Sequence, residues 1–482
     1  MRWPLVPILA AALTFSAAPG AAPPRRLFSV GQTTWIWAEP SKAPRSELGY
    51  VRVGASVLLR EPEPRSGPGC PNGFYAVEPY GWVCRDRTVT FDVSDRYVRA
   101  AALASPRERT LPFDYALSNG APMYRRLPTR AEWEKEERWF GPAGSFGALS
   151  WGNRGHEQLA QARAVEAADA TPFFLADGGS AGSARPEGLV RRKIPLGSML
   201  AFTRAFRHEG RTWLLSSDLT VVPADRVRPY RQSSFAGIAL GKDRALPIAW
   251  TKKEPRPKYR RAEDGSFSET GGSWSPKSAI DLDPAAEPIE RGIGKRFLMT
   301  RERASDGAPL FVAEKDVAVV RPRSELPFSV TDTDKWVIVS INQGTLVAYQ
   351  GTKPLFTTLI SPGAGGVPIP GKDPVKMSTT PLGVFRIAFK HRAATMSPEQ
   401  GEDRSFWIAD VPHTQYFNAP FALHTAYWHE NFGEPMSGGC INLSPRDGAW
   451  LFDWTEPRVP KDWNGSATHA LNGKGSIVVV TR

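Results

Sequence analysis

The chain has 482 residues, room for two to four domains at roughly 100 to 200 residues each. Hydrophobic residues make up 41% and charged residues 23%, which excludes a disordered chain and a protein of many membrane spans. With 43 Gly, 44 Pro and 16 Trp, short strands joined by turns are favoured and an all-helical repeat is excluded.

The formal net charge is +12, a long-range bias towards anionic partners such as cell-wall or envelope polymers. It is unevenly placed: residues 331–482 hold 13 Lys or Arg against 13 Asp or Glu, so the first 330 residues carry the surplus. No helix-turn-helix, zinc-finger or RNP-like pattern accompanies it, and no nucleic-acid partner is expected.

Met1-Arg2, an apolar stretch from Trp3 to about Ala18 and the small-residue tract SAAPGAA have the three parts of a secretory signal, here residues 1–22. The run is shorter than the roughly 20 residues of a spanning helix, so export without a stable membrane span is expected, to the periplasm or cell wall. In an oxidising compartment Cys70 and Cys84, fourteen positions apart around a CPNG turn, pair, which contributes about 3 kcal/mol in the loop-entropy account. Cys440 is then left over and calls for an explanation.

An internal spacing follows. Gly197 precedes Gly210 by thirteen residues and Trp213 by sixteen, and Gly294 precedes Gly307 and Leu310 by the same intervals. Gly54, the run Val57 to Leu59, Gly73-Phe74-Tyr75 and Gly81-Trp82-Val83 form a third copy, so three small β units are expected. The pattern, clearest from Val53 to Asp92, resembles bacterial SH3-like wall-associated modules. The expected units are residues 26–100 with the disulfide, 101–235 with a helical insert, and 236–330 with a linker. Thr129 to Trp139 and Glu157 to Asp169 read as helices, the first capped by Thr129. Residues 145–187 and 254–287 read as linkers or long loops. The basic cluster Lys252, Lys253, Arg256, Lys258, Arg260 and Arg261, interrupted by Pro255 and Pro257, reads as an exposed loop.

From Trp336 the pattern changes. WVIVSI, an Asn342-Gln343-Gly344 turn and TLVAYQ predict a hairpin, followed by the strand Leu355 to Ile360 and, at the end, Ser476 to Thr481. Five of the seven histidines (His391, His413, His424, His429 and His469) fall here with Cys440. His424 precedes Cys440 by sixteen residues, enough for a loop to return and set imidazole against thiol. Ser437-Gly438-Gly439 supplies backbone without bulk, whose N–H groups can converge in a nest. Ser437 is read as a loop residue, since no G-x-S-x-G elbow surrounds it. No HExxH or paired CxxC is present, and neither a metal nor a cofactor is expected.

His424, Ser437, Gly439, Cys440, Ile441 and Asn442 match, in order, the signature of the L,D-transpeptidases. The stretch Thr380-Pro381-Leu382-Gly383-Val384-Phe385 is similar to the family's TPxGxF strand. One departure stands out: the family's histidine after the motif serine is Gly438 here. The resemblance covers about Asp332 to Arg482, within an expected catalytic domain of residues 331–482, and implies a mainly β, multidomain chain in which SH3-like barrels precede a β-rich catalytic domain. It implies Cys440 as nucleophile, His424 as its base oriented by the Thr425 carbonyl, and the Gly439 and Cys440 amides at the oxyanion. Tyr427, Trp428, His429 and Asn442 are expected around the substrate, His429 as a stand-in for the missing motif histidine. The implied partners are peptidoglycan stem peptides, joined as 3-3 cross-links through a thioester. An L,D-carboxypeptidase or endopeptidase of the same fold and a non-catalytic wall-binding protein remain open.

Overall fold

The computed structural model describes residues 25–142, 147, 155–181, 188–292, 294–397 and 406–482. The expected signal segment lies outside them. Among the described residues no helix is long and apolar enough to cross a membrane.

In the first module Thr33–Trp37 pairs with Glu47–Arg52 and Trp82–Cys84, and Cys70–Ala76 lies beside Trp82–Cys84. The expected Cys70–Cys84 disulfide forms between these last two strands. Ile36, Leu48, Val51, Val57, Tyr75 and Val83 alternate inward, and Trp463 from the C-terminal third completes their cluster. Small β units are thus present, but their sheets close into no barrel. The physical reason is visible at Glu47–Arg52, whose second edge pairs with Gly465–Ala467 through Gly49↔Ser466 and Tyr50↔Gly465.

In the second region Met199–His208 turns at Gly210 (φ 75°) into Arg211–Ser216 and also pairs with Asp114–Ser118. The helix Arg130–Glu137 begins at a Thr129–Glu132 capping box, as the sequence predicts. The helix expected at Glu157 to Asp169 does not form. Its amides go elsewhere: Gln161 N–H to Pro229 O, and Ala168 and Asp169 N–H to Ala205 O.

Residues 254–287, expected as a linker, instead form the strands Arg256–Arg261, Phe267–Trp274 and Ala279–Asp281. The basic cluster is a strand because alternate cations find carboxylates: Arg256 with Asp316 at 3.8 Å, Lys258 with Glu302, and Arg260 with Asp306 at 2.7 Å. Pro257 is tolerated next to a register shift in the pairing with Phe267–Trp274.

The C-terminal third stacks two sheets. The first runs Ile238–Ala239, Lys353–Leu359, Thr345–Gln350, Lys335–Ser340, Ile477–Thr481 and Gly383–Arg386, with the expected hairpin in it and Ile477–Thr481 parallel to Lys335–Ser340. The second contains Phe389–Met396, Ile408–Asn418, Phe421–Thr425 and Ile441–Leu443. Val337, Val339, Leu346, Phe417, Leu423, Ile441 and Val478 fill the space between, closed by Leu451 of the helix Pro445–Trp454. The second region packs on this sheet: Met199 pairs in parallel with Ile408, and Tyr115 and Met199 share a core with Ala409, Val411 and Tyr427.

Candidate active site around Cys440

Two short strands build the site. Phe421–Thr425 and Ile441–Leu443 run parallel, with Leu423 opposite Ile441 and His424 opposite Asn442. Paired residues of a parallel register share a side and alternate along the strand. Cys440 directly precedes this second strand, two residues ahead of Asn442, which stands opposite His424. Its thiol is half-buried and outside the disulfide, with Sγ 3.9 Å from Pro420 O.

The His424 ring is buried and its Nδ1 lies 3.1 Å from Thr425 O. A carbonyl only accepts, so Nδ1 carries the proton and Nε2 keeps its lone pair. Burial lowers the imidazole to about 4, opposed by that hydrogen bond. A neutral ring with one fixed tautomer can take a proton from a thiol. Thr425 is occupied on its other side as well: its Oγ1 lies 2.9 Å from His413 Nδ1.

The loop before Cys440 is bound at several points. Ala364 N–H donates to Ser437 O at 2.8 Å, and Met436 and Ser437 N–H both donate to Pro362 O. The Ser437 hydroxyl donates to Cys440 O and accepts the Gly439 N–H at 3.0 Å. Gly439 sits at φ 127°, where a Cβ would come within 2.4 Å of the Phe421 ring and 3.0 Å of Thr379 O. No other residue fits there. Thr380, from the TPLGVF stretch, accepts the Gly363 N–H at 2.9 Å and so holds the facing loop. Gly438 is exposed. In this arrangement the Gly439 amide, expected at an oxyanion, is already taken by Ser437.

The residues expected around the substrate lie inside the fold. Tyr427, Trp428, His429 and Asn442 are all buried. Tyr427 stacks on Tyr115 with centroids 3.8 Å apart and donates to Ala409 O at 3.1 Å. The second region covers it, which makes it a seam residue. His429 accepts the Asn431 N–H on Nδ1 at 3.2 Å, and Nε2 lies 2.8 Å from the Asn442 amide. A neutral ring accepting on Nδ1 carries its proton on Nε2, so it needs the amide oxygen. Asn442 Oδ1, buried and otherwise without a partner, meets that need when the amide turns over. Burial, then His156 and His424, lower His429 to about 3. Both ring nitrogens of His429 are thus engaged within the fold.

His156 has no counterpart among the sequence candidates. Its ring lies 6.2 Å from Trp428, which in turn lies 5.9 Å from His424 and 6.0 Å from His429. Gly155 abuts Met436, and Gln158 Oε1 accepts the Glu430 N–H at 3.1 Å. Arg231 and Lys277 pair with the Glu430 carboxylate. Both upstream regions thus hold the loop that leads to Cys440. Nothing local in the sequence marks this approach.

Residues 334–480 match the family model of the YkuD L,D-transpeptidase catalytic domain, and the C-terminal third is a domain of that type, preceded by β modules. Members of that family act on peptidoglycan peptides. Curated proteins offer no match. Among solved structures, a variant L,D-transpeptidase of Enterococcus faecium is 21% identical over 31% of this chain and 50% of its own, with a TM-score of 0.23. This chain therefore spans half the length of that protein. An L,D-transpeptidase from Mycobacterium smegmatis is 16% identical over 42% of this chain and 100% of its own, TM-score 0.24. The E. faecium catalytic domain acylated by ertapenem is 22% identical over 31% and 97%, TM-score 0.22.

Proposed function

We propose that the protein is an exported cysteine acyltransferase of the cell wall, an L,D-transpeptidase forming 3-3 cross-links between peptidoglycan stems. The observation that supports this reading is the fixed tautomer of His424, whose Nε2 keeps its lone pair, on a strand paired in parallel with the one that Cys440 leads into. The Cys440 proton passes to Nε2, and the sulfur attacks the carbonyl carbon between the third stem residue and the terminal D-Ala. When the tetrahedral oxyanion collapses, the C–N bond breaks and His424 returns the proton to the departing D-Ala amine. The thioester is then attacked by the side-chain amine of a second stem, whose proton goes to His424 as the thiol is released. Water in place of the amine makes the same site an L,D-carboxypeptidase.

One observation favours a second reading, a wall-binding protein without turnover: the Gly439 N–H is held by Ser437, and Gly438 replaces the motif histidine. A carbapenem separates the two. Incubated with one, the mature wild-type protein is expected to gain a single covalent adduct by intact mass, and Cys440→Ala none. An unmodified wild type whose Cys440 still reacts with a small alkylating agent overturns the transpeptidase reading. Muropeptide analysis then distinguishes transfer from hydrolysis.

A further inference from the structure

His424 and Thr425 point to opposite sides of their strand. An open cavity of about 670 Å³, lined by His413, the partner of Thr425, and by neither His424 nor Cys440, lies between the first module, the loop 105–112 and the C-terminal third. Its walls meet only because distant segments join. Arg52 Nη1 donates to Asp410 at 2.7 Å, its backbone N–H donates to Asn464 Oδ1 at 2.9 Å, and Gly49 and Tyr50 pair with Ser466 and Gly465.

The seam charges are paired, whereas several charges facing the cavity are not. Arg392 donates Nε to Trp463 O at 2.7 Å and Nη2 to Val459 O and Pro460 O at 3.1 and 2.9 Å. These carbonyls orient the guanidinium, while Asp453, Asp462 and Glu108 act on it at a distance, with no direct ion pair among the described residues. Lys461, exposed at the rim, makes no ion pair among the described residues. Arg107 and Arg109 share a single carboxylate, Asp114. Glu108 and Asp453 also line the cavity and are exposed, each without a cation in hydrogen-bond reach among the described residues. Phe452 and Trp463 give it an apolar floor. His413, on the wall, holds a left-handed backbone (φ 56°) inside a strand, the kind of local strain that concentrates at binding sites.

We propose that this cavity is a second binding site, for a short peptide carrying both carboxylate and amine groups. Arg392 and Lys461 take the carboxylate, and Asp453 takes the amine. The lining carries both signs, with Glu108 and Asp453 among the cations Arg392 and Lys461, as a ligand with both charges requires. The volume falls in the range of ordinary ligand pockets, roughly 300 to 1,000 Å³.

The probe is a soluble peptidoglycan tetrapeptide with its free side-chain amine, titrated calorimetrically into full-length Cys440→Ala. The site stands on the cavity, and only this choice of probe rests on the function proposed above. Two equivalents are expected to bind. Adding Lys461→Glu with Asp453→Lys, both exposed, is expected to weaken one of them about tenfold or more, while the same pair in a Cys440 background leaves carbapenem acylation unchanged. Titration identical to Cys440→Ala overturns the proposal. A charge-reversed protein that loses one equivalent while wild type resists carbapenem keeps the cavity site and removes the catalytic reading.

Discussion

The hydroxyl of Ser437 accepts the Gly439 N–H at 3.0 Å while donating to Cys440 O. One side chain thus ties both ends of the turn that presents the thiol. Removing it leaves a donor and an acceptor unmatched beside the reacting atom, a loss of about 1 kcal/mol for each ordinary hydrogen bond. Ser437→Ala is expected to acylate with a carbapenem about tenfold more slowly, and Ser437→Thr at close to the wild-type rate. Equal rates for Ser437→Ala and wild type would remove Ser437 from any positioning role.

His424 must be neutral to accept the thiol proton, and burial holds it down to about 4. An exposed histidine would give an acid limb near 6.5. Here the rate of Cys440 acylation is expected to persist through pH 5 and fall only as pH drops through about 4. The check is the acylation rate from pH 3.5 to 7, with folding followed by circular dichroism. A limb at 6 to 7 in a folded protein would mean that His424 is solvated in the reacting state.

The hairpin Lys335–Gln350 was readable because an apolar run, a turn of known chemistry and a second run sit together in sequence. That the strands carrying His424 and leading from Cys440 lie side by side was readable for a related reason, since one loop separates them. What failed depended on partners far along the chain. Arg256–Arg261 shows its two-residue alternation openly, yet Pro255 and Pro257 read as breakers, and the carboxylates that settle it (Asp316, Glu302 and Asp306) lie some 40 to 60 residues on. Glu157 to Asp169 has helical composition, but Asp169 accepts from Ala205 N–H and Arg204, which draws the segment onto a strand. Tyr427 was readable as a packing or pocket-wall residue, but its stacking partner Tyr115, over three hundred positions away, was not.

Asp447 lies buried in the first turn of the helix Pro445–Trp454, accepting from Gly237 N–H at 2.8 Å and from the Thr358 hydroxyl. Burial raises its carboxyl to about 6, against the lowering effect of those bonds. Because the folded value lies above the unfolded one, near 3.9, the native state binds the extra proton between them. Stability from this group is full below about pH 4 and is lost as pH rises through 6. Asp447→Asn keeps the acceptor and removes the titration. Its unfolding free energy is expected to match wild type at pH 4 and exceed it at pH 7, by up to about 3 kcal/mol for a shift of two pH units, read as a higher denaturant midpoint. A constant difference across that window would show that Asp447 does not titrate there.

Glu137 reverses that sign. Its carboxylate, 4% exposed, accepts from Arg211 Nη1 and Nη2 at 2.9 and 2.7 Å, from Arg226 Nε at 3.0 Å and from Tyr124 OH at 2.9 Å. Burial by itself would raise the group, but the two guanidiniums and the phenol hold it below the usual carboxylate range. The native state therefore binds fewer protons than the unfolded chain, so this stability is present above the unfolded value, near 4.3, and is lost as pH falls through the lower folded one. Glu137→Ala leaves Arg226 buried without its carboxylate and Arg211 with Asp225 alone. Breaking one side of a buried charge cluster costs about 3 to 5 kcal/mol, so a marked drop in denaturant midpoint at pH 7 is expected, shrinking towards pH 3. A midpoint unchanged at pH 7 would mean that the two arginines are as well served by water as by Glu137, and that the second region owes its order to the apolar cluster around Trp213 and Phe206 instead.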